Sequence, residues 1–95
     1  MKNYFVYILT NKINGTLYIG VTNNLKKRVY VHKMKIVEGF SKRYQLNKLV
    51  YFEKYTNIQD ALLREKRMKK WKREWKIKLI ENDNPKWNDR YRDII

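Results

Sequence analysis

The chain contains no cysteine, one proline, three glycines and one histidine, and only 9 of its 95 residues are acidic. Without cysteine there is no disulfide, no thiolate metal site and no cysteine nucleophile, and nothing calls for an oxidising compartment. A single histidine excludes a histidine-rich metal site. No apolar run approaches the roughly 20 residues that a membrane-spanning helix requires, and Met1-Lys2-Asn3 leads straight into Tyr4–Leu9 without the pattern of a signal peptide. The expectation is a soluble, cytoplasmic chain with no membrane partner.

What the chain does have is positive charge and aromatic surface. Lys and Arg number 23 against 9 Asp and Glu, a net charge of +14. A charge this far from zero points to a polyanionic partner, most simply nucleic acid. The 43% hydrophobic and 15% aromatic content is too rich for a disordered basic tail. Ninety-five residues leave room for one core, so residues 1–95 are expected to form one domain, with residues 84–95 docked on it as a tail.

Tyr4–Leu9 and Thr16–Val21 read as strands, and Asn14-Gly15 between them is a strong hairpin signal. A two-residue turn there pairs Ile13 with Thr16 and Leu9 with Gly20. It sets Tyr7, Leu9, Tyr18, Gly20 and Thr22 on one face, and aliphatic Val6, Ile8, Leu17, Ile19 and Val21 on the other. Asn23-Asn24 are placed to cap a helix over about 25–35, with Arg28 and His32 four apart on one side. Glu38–Lys42 reads as a loop and Leu46–Tyr55 as a third strand. From Asn57 one long helix is predicted through Leu79, with Asn84-Pro85 ending anything helical. The resulting class is α/β (α+β): a small three-stranded sheet flanked by helices.

Glu65 interrupts the apolar stripe of the long helix. A carboxylate there needs a partner, because leaving it unpaired costs several kcal/mol. A metal ion and a neighbouring Lys or Arg both meet that need. Residues 64–78 carry nine basic and two acidic side chains, a charge of +7, interleaved with Trp71 and Trp75. Lys66, Lys69, Lys70, Lys72 and Arg73 are the candidates for tracking a phosphate backbone. The two tryptophans either stack on unpaired bases or form the buried stripe of the helix. Gly20 either admits a phosphate or helix close to the sheet or simply ends a strand.

The order Phe5-Val6-Tyr7, Leu17-Tyr18-Ile19-Gly20, Arg28-x-x-x-His32 and Ala61-Leu62-Leu63-Arg64-Glu65 resembles the GIY-YIG nuclease family over most of the chain. Gly39–Tyr44, Trp71-Lys72-Arg73 and Asn84-Pro85-x-Trp87 resemble its small stand-alone bacterial branch. The first half-motif departs, with Phe5-Val6 where the family has Gly-Ile. The resemblance implies an antiparallel sheet and hydrolysis of DNA phosphodiesters with one divalent metal, usually Mg2+ with Mn2+ as the variant, and no small-molecule cofactor. It implies Tyr7 as the base with Tyr18 orienting water or phosphate, Arg28 clamping phosphate, His32 relaying a proton or making a second phosphate contact, and Glu65 binding metal. Asn88 resembles an asparagine that some members place near the metal or phosphate. A phenol of pKa about 10 is a poor base unless cations lower it, and Arg28 and His32 are placed to do so. The implied enzyme is an endonuclease of low sequence specificity or one directed by DNA structure, with repair or recombination as the natural setting. The alternative is a non-catalytic nucleic-acid-binding module that keeps the fold and the charge.

Overall fold

The computed structural model describes residues 2–34 and 44–95. Within them the chain runs β1 (Tyr4–Thr10), β2 (Leu17–Thr22), α1 (Leu25–Lys33), β3 (Lys48–Tyr55), α2 (Ile58–Lys70), α3 (Arg73–Asp83) and a 3-10 turn at Arg90–Asp93. The expected loop at Glu38–Lys42, and Gly39–Arg43 of the branch motif, lie outside the described residues. Among the described residues no helix is long and apolar enough to cross a membrane.

The three strands are antiparallel in the order β2-β1-β3. Central β1 is buried from Val6 to Thr10 because helices cover both faces of the sheet. On one face Val6, Ile8, Ile19 and Val50 pack against Ala61 and Met68 of α2, Ile80 of α3, and Trp87. On the other, Tyr7, Leu9 and Leu49 pack against Leu25 and Val29 of α1 and against Leu46. A one-residue bulge in β3, where Leu9 faces Leu49 but Ile8 faces Tyr51, turns Tyr51 to the α2 side.

The hairpin register differs from the expected one by two residues. Tyr7 pairs with Gly20 and Leu9 with Tyr18. The turn is longer than Asn14-Gly15 alone. Gly15 N donates to Lys12 O at 2.9 Å, Asn14 carries the positive φ of 57°, and Asn11 Oδ1 accepts from Thr16 N at 3.1 Å. The Asn11 side chain thus replaces a ladder bond and widens the loop. A shift of two preserves the alternation, so each side chain stays on its expected face.

The two helix starts are capped as expected. Asn24 Oδ1 accepts from Lys27 N at 3.1 Å, and Asn57 Oδ1 accepts from Gln59 N at 2.7 Å. The long helix is not continuous. Trp71 and Lys72 are extended (ψ 152° and 148°), and they separate α2 from α3 without glycine or proline. The reason is length: one helix over 58–79 would run about 33 Å at 1.5 Å per residue, past the roughly 26 Å that an eight-residue strand such as β3 spans. The break lays Ile77, Leu79 and Ile80 back on the core. Arg73 Nη2 then pins the start of α3 to the β1–β2 turn, donating to Asn14 O at 2.7 Å and Gly15 O at 2.5 Å.

Helix α2 is tied to β3 through Glu53. Its carboxylate accepts two bonds from Arg64, Nε to Oε1 at 3.0 Å and Nη2 to Oε2 at 2.9 Å. It also accepts from Tyr51 and Tyr55 at 2.5 and 2.7 Å. Burial opposes ionisation of Glu53, but the hydrogen bonds from Arg64, Tyr51 and Tyr55 outweigh it and hold the carboxyl below its usual range. Residues 84–95 cross the far side of β3. Asp89 pairs with Lys33 and caps Leu49 N at 3.1 Å. Replacing Glu53 by Ala strands one guanidinium and two phenols at once. We expect urea denaturation to show a loss of about 2–3 kcal/mol, against under about 0.5 kcal/mol for an exposed control such as Lys54→Ala.

Candidate active site

Gly20 sets the position of the most buried candidate side chain. It faces Tyr7 directly across the ladder, and a Cβ there would come within 2.5 Å of Tyr7 Cζ and closer still to Oη. The missing side chain lets the Tyr7 ring lie across β2. Neither expectation for Gly20, access for a phosphate or a plain strand end, describes this. Tyr7 is 2% exposed. Its ring stands 6.3 Å from Tyr18 and 6.4 Å from His32, and Tyr18 and His32 are 5.7 Å apart. Two strands and α1 thus bring three candidates into one cluster.

Arg28 lies one helical turn before His32 and is exposed, whereas His32 is 4% exposed. Burial, reinforced by the charge of Arg28, pushes the His32 imidazole below its ordinary 6.5, so it is neutral at pH 7. Burial raises the Tyr7 phenol well above 10, the Tyr18 hydroxyl and the Glu65 carboxylate push the same way, and Arg28 alone opposes. The expectation that Arg28 and His32 together lower this phenol is therefore corrected. His32 brings no charge, and desolvation outweighs the guanidinium.

Glu65 reaches the site from the other face of the sheet. Where β1 begins and β2 ends, Arg28 of α1 and Glu65 of α2 line one cleft of about 390 Å3 together with Tyr4, Val21, Thr22 and Leu62. Glu65 is not set in a buried stripe as expected. Only Ala61 and Met68 of α2 are buried, while Leu62 and Leu63 are 44% and 48% exposed. The Glu65 side chain, 20% exposed, pairs with Lys69 at 3.4 Å. Lys69 is itself 54% exposed, so the pair is a surface contact of small worth that its flexible partner can give up.

Among the described residues no three His, Asp or Glu side chains gather into a metal cage. One carboxylate on an open cleft does fit Mg2+, which keeps most of its waters and is completed by substrate phosphate oxygens rather than by protein.

The remaining candidates divide. Lys66, Lys69, Lys70 and Lys72 are exposed. Arg73 is occupied with the β1–β2 turn. Asn88 is not brought to the site. Its backbone is bonded to the Asn84 side chain, which also donates to Val50 O of β3, on the opposite edge of the sheet from β2. Asn23, expected only as a helix cap, and Lys26 and Lys27, given no role beyond the family-like run up to Arg28, lie around the same opening. Asn23 lines the cleft and, with Lys27 and Arg28, an adjoining hollow of about 210 Å3. A third hollow, about 420 Å3, continues past Lys2 and Lys26. The basic run Lys26-Lys27-Arg28 at the start of α1 was the available signal.

A profile of the GIY-YIG catalytic domain matches residues 3–78. The chain belongs to the GIY-YIG family. A UPF0213 protein of Clostridium perfringens is 37% identical over 90 residues, covering 95% of this chain and 96% of that one. A UPF0213 protein of Staphylococcus epidermidis is 37% identical over 82 residues, covering 85% and 98%. The solution structure of a UPF0213 protein from Bacillus halodurans has the same fold, with a TM-score of 0.58 at 22% identity over 92% of each chain. The GIY-YIG family is a nuclease family whose members generally use divalent metal ions, so the chain is placed among nucleic-acid-handling domains. Its departure from the family motif is a packing change: Phe5 meets Phe52 edge-on at 6.4 Å, and Val6 is core. Phe5 packs against the buried cluster that holds Tyr7, and Val6 lies on the opposite face of the sheet.

Two outcomes follow. Because the folded state depresses the His32 pKa, the stability it contributes is present above the unfolded value of 6.5 and is lost as pH falls through that value. Unfolding free energy should decline between pH 7 and 5 by up to about 1.4 kcal/mol per unit, and the decline should flatten in His32→Gln. Glu53 and Asp89, whose pKa values are lowered from 4.5 and 3.8, act only below this window. Gly20→Ala should cost roughly 1–3 kcal/mol by overpacking, and NMR should show the Tyr7 ring moved relative to His32.

Proposed function

We propose that the chain is a metal-dependent DNA endonuclease, of low sequence specificity or directed by DNA structure, whose scissile phosphate sits in the cleft between Arg28 and Glu65. One observation carries this reading: helices on opposite faces of the sheet deliver a guanidinium and a carboxylate to the same opening, and the charges of both act on the Tyr7 phenol of the Tyr7–Tyr18–His32 cluster. Arg28 clamps the phosphate and offsets the charge that builds on it. Glu65 would give up Lys69 to hold Mg2+ or Mn2+, which would supply Lewis-acid stabilisation of the leaving 3′ oxygen when bound.

Tyr7, held as a neutral phenol, and Tyr18 orient the attacking water through their hydroxyls. The neutral imidazole of His32 takes up the proton, a role that a phenol this resistant to ionisation fills poorly at pH 7. Asn23, Lys26 and Lys27 steer the strand into the cleft, and Lys66, Lys69 and Lys70 hold its backbone on the α2 side. The non-catalytic alternative, motivated by the altered first half-motif, predicts binding without cutting and is separated from this reading by the cleavage experiment.

Cleavage of plasmid, single-stranded and branched DNA should require Mg2+ or Mn2+, stop in EDTA, and fall by about 100-fold or more in Arg28→Ala and Glu65→Gln. The rate should rise with pH through the His32 titration. Cutting that survives in both variants, or binding without cutting in all three proteins, overturns the endonuclease.

A further inference from the structure

The break between α2 and α3 leaves an aromatic face that the cleft does not use. Trp75 is 52% exposed, and Trp71 is half-buried against the core with its ring 6.4 Å from Trp75. Lys72 Nζ stands 5.9 Å over the Trp75 ring, and Arg64 stacks on Trp71 at 4.9 Å. The two tryptophans, Lys78, Leu79 and Asn82 line an open hollow of about 340 Å3. Positions 75, 78, 79 and 82 follow the helical repeat, so this is one face of α3, with Lys72 standing at its N-terminal end.

The expected alternatives, a base-stacking site or a buried stripe, therefore part company. Trp71 serves the core and Trp75 does not. An exposed tryptophan between two lysines joins a stacking plane to cations at the spacing of one helical turn, and Asn82 adds an amide able to bond a base edge. The surroundings favour an anionic partner, since residues 64–78 carry +7. The acids that follow on α3 are engaged elsewhere: Glu81 accepts from Trp87 Nε1 at 2.7 Å, and Asp83 pairs with Arg90 at 2.5 Å.

We infer that this face binds an unpaired nucleobase and its flanking phosphates, so that the preferred substrate is DNA with a single-stranded segment beside the cut. The inference rests on the endonuclease reading and narrows it. Duplex DNA keeps its bases stacked and offers Trp75 nothing but backbone, whereas a single strand or a branched arm can lay a base on the indole. Helix α2 leads to this face, with Lys70 five residues beyond Glu65, about 7.5 Å of rise.

The test is fluorescence-anisotropy binding in EDTA, where nothing is cut, of oligo-dT and of a blunt duplex of equal length. Wild type is compared with Trp75→Ala and Trp75→Phe. Trp75→Ala is expected to weaken oligo-dT roughly tenfold, the size of one base–aromatic stack, and to leave the duplex within about twofold. Trp75→Phe should recover part of the loss. Equal weakening on both DNAs reassigns Trp75 to backbone contact or folding and overturns the inference. Unchanged binding on both overturns it too, as does a dimer in sedimentation that Trp75→Ala converts to monomer, which assigns the face to a second copy. None of these outcomes touches metal-dependent cutting of duplex DNA, so the inference can fail while the endonuclease stands. A wild type that binds neither DNA defeats both.

Discussion

A helix resting on a sheet can roll about its axis unless one side is held, and in this chain Glu53 is the hold. Its carboxylate takes both arms of the Arg64 guanidinium while two tyrosines from its own strand complete its hydrogen bonds. Arg64 and Glu65 are consecutive, so their side chains leave the helix about 100° apart. With Arg64 fastened toward β3, Glu65 is turned to the opposite margin of the sheet, where β2 ends and Arg28 waits across the cleft. The same guanidinium carries Trp71 on its face, so the point where α2 stops is set by the contact that sets its rotation.

The other half of the site depends on an absence. Tyr7 belongs to the central strand, covered on both faces, and its ring lies across β2 only because Gly20 beside it has no Cβ. Burial then decides the chemistry of the cluster. It keeps the phenol protonated because desolvation outweighs the nearby guanidinium, and it keeps the imidazole neutral because there the same guanidinium reinforces desolvation. The charges act where water is present: Arg28 on the cleft, and Lys26, Lys27, Lys66 and Lys70 around it.

Much of this was legible in the residues. Strand alternation assigned every hairpin side chain to its face even though the register was off by two, because a shift of two leaves a period-2 pattern unchanged. Asn24 and Asn57 announced their helices through local cap chemistry. What stayed hidden was decided at long range. The Trp71-Lys72 break has no glycine or proline to mark it, since it answers to the size of the sheet. The partner of Glu65, the occupation of Arg73 by the β1–β2 turn, and the placement of Asn88 beside β3 all depend on how elements distant in sequence meet.

The most direct measurement is paramagnetic broadening by Mn2+ in the 1H–15N spectrum of the chain bound to a non-hydrolysable phosphorothioate duplex. If Arg28 and Glu65 form one substrate-completed metal site, broadening is expected first at Thr22, Asn23, Arg28, Leu62 and Glu65, and it should vanish in Glu65→Gln. Broadening centred on other carboxylates such as Asp83 and Asp93, or unchanged by Glu65→Gln, would contradict it.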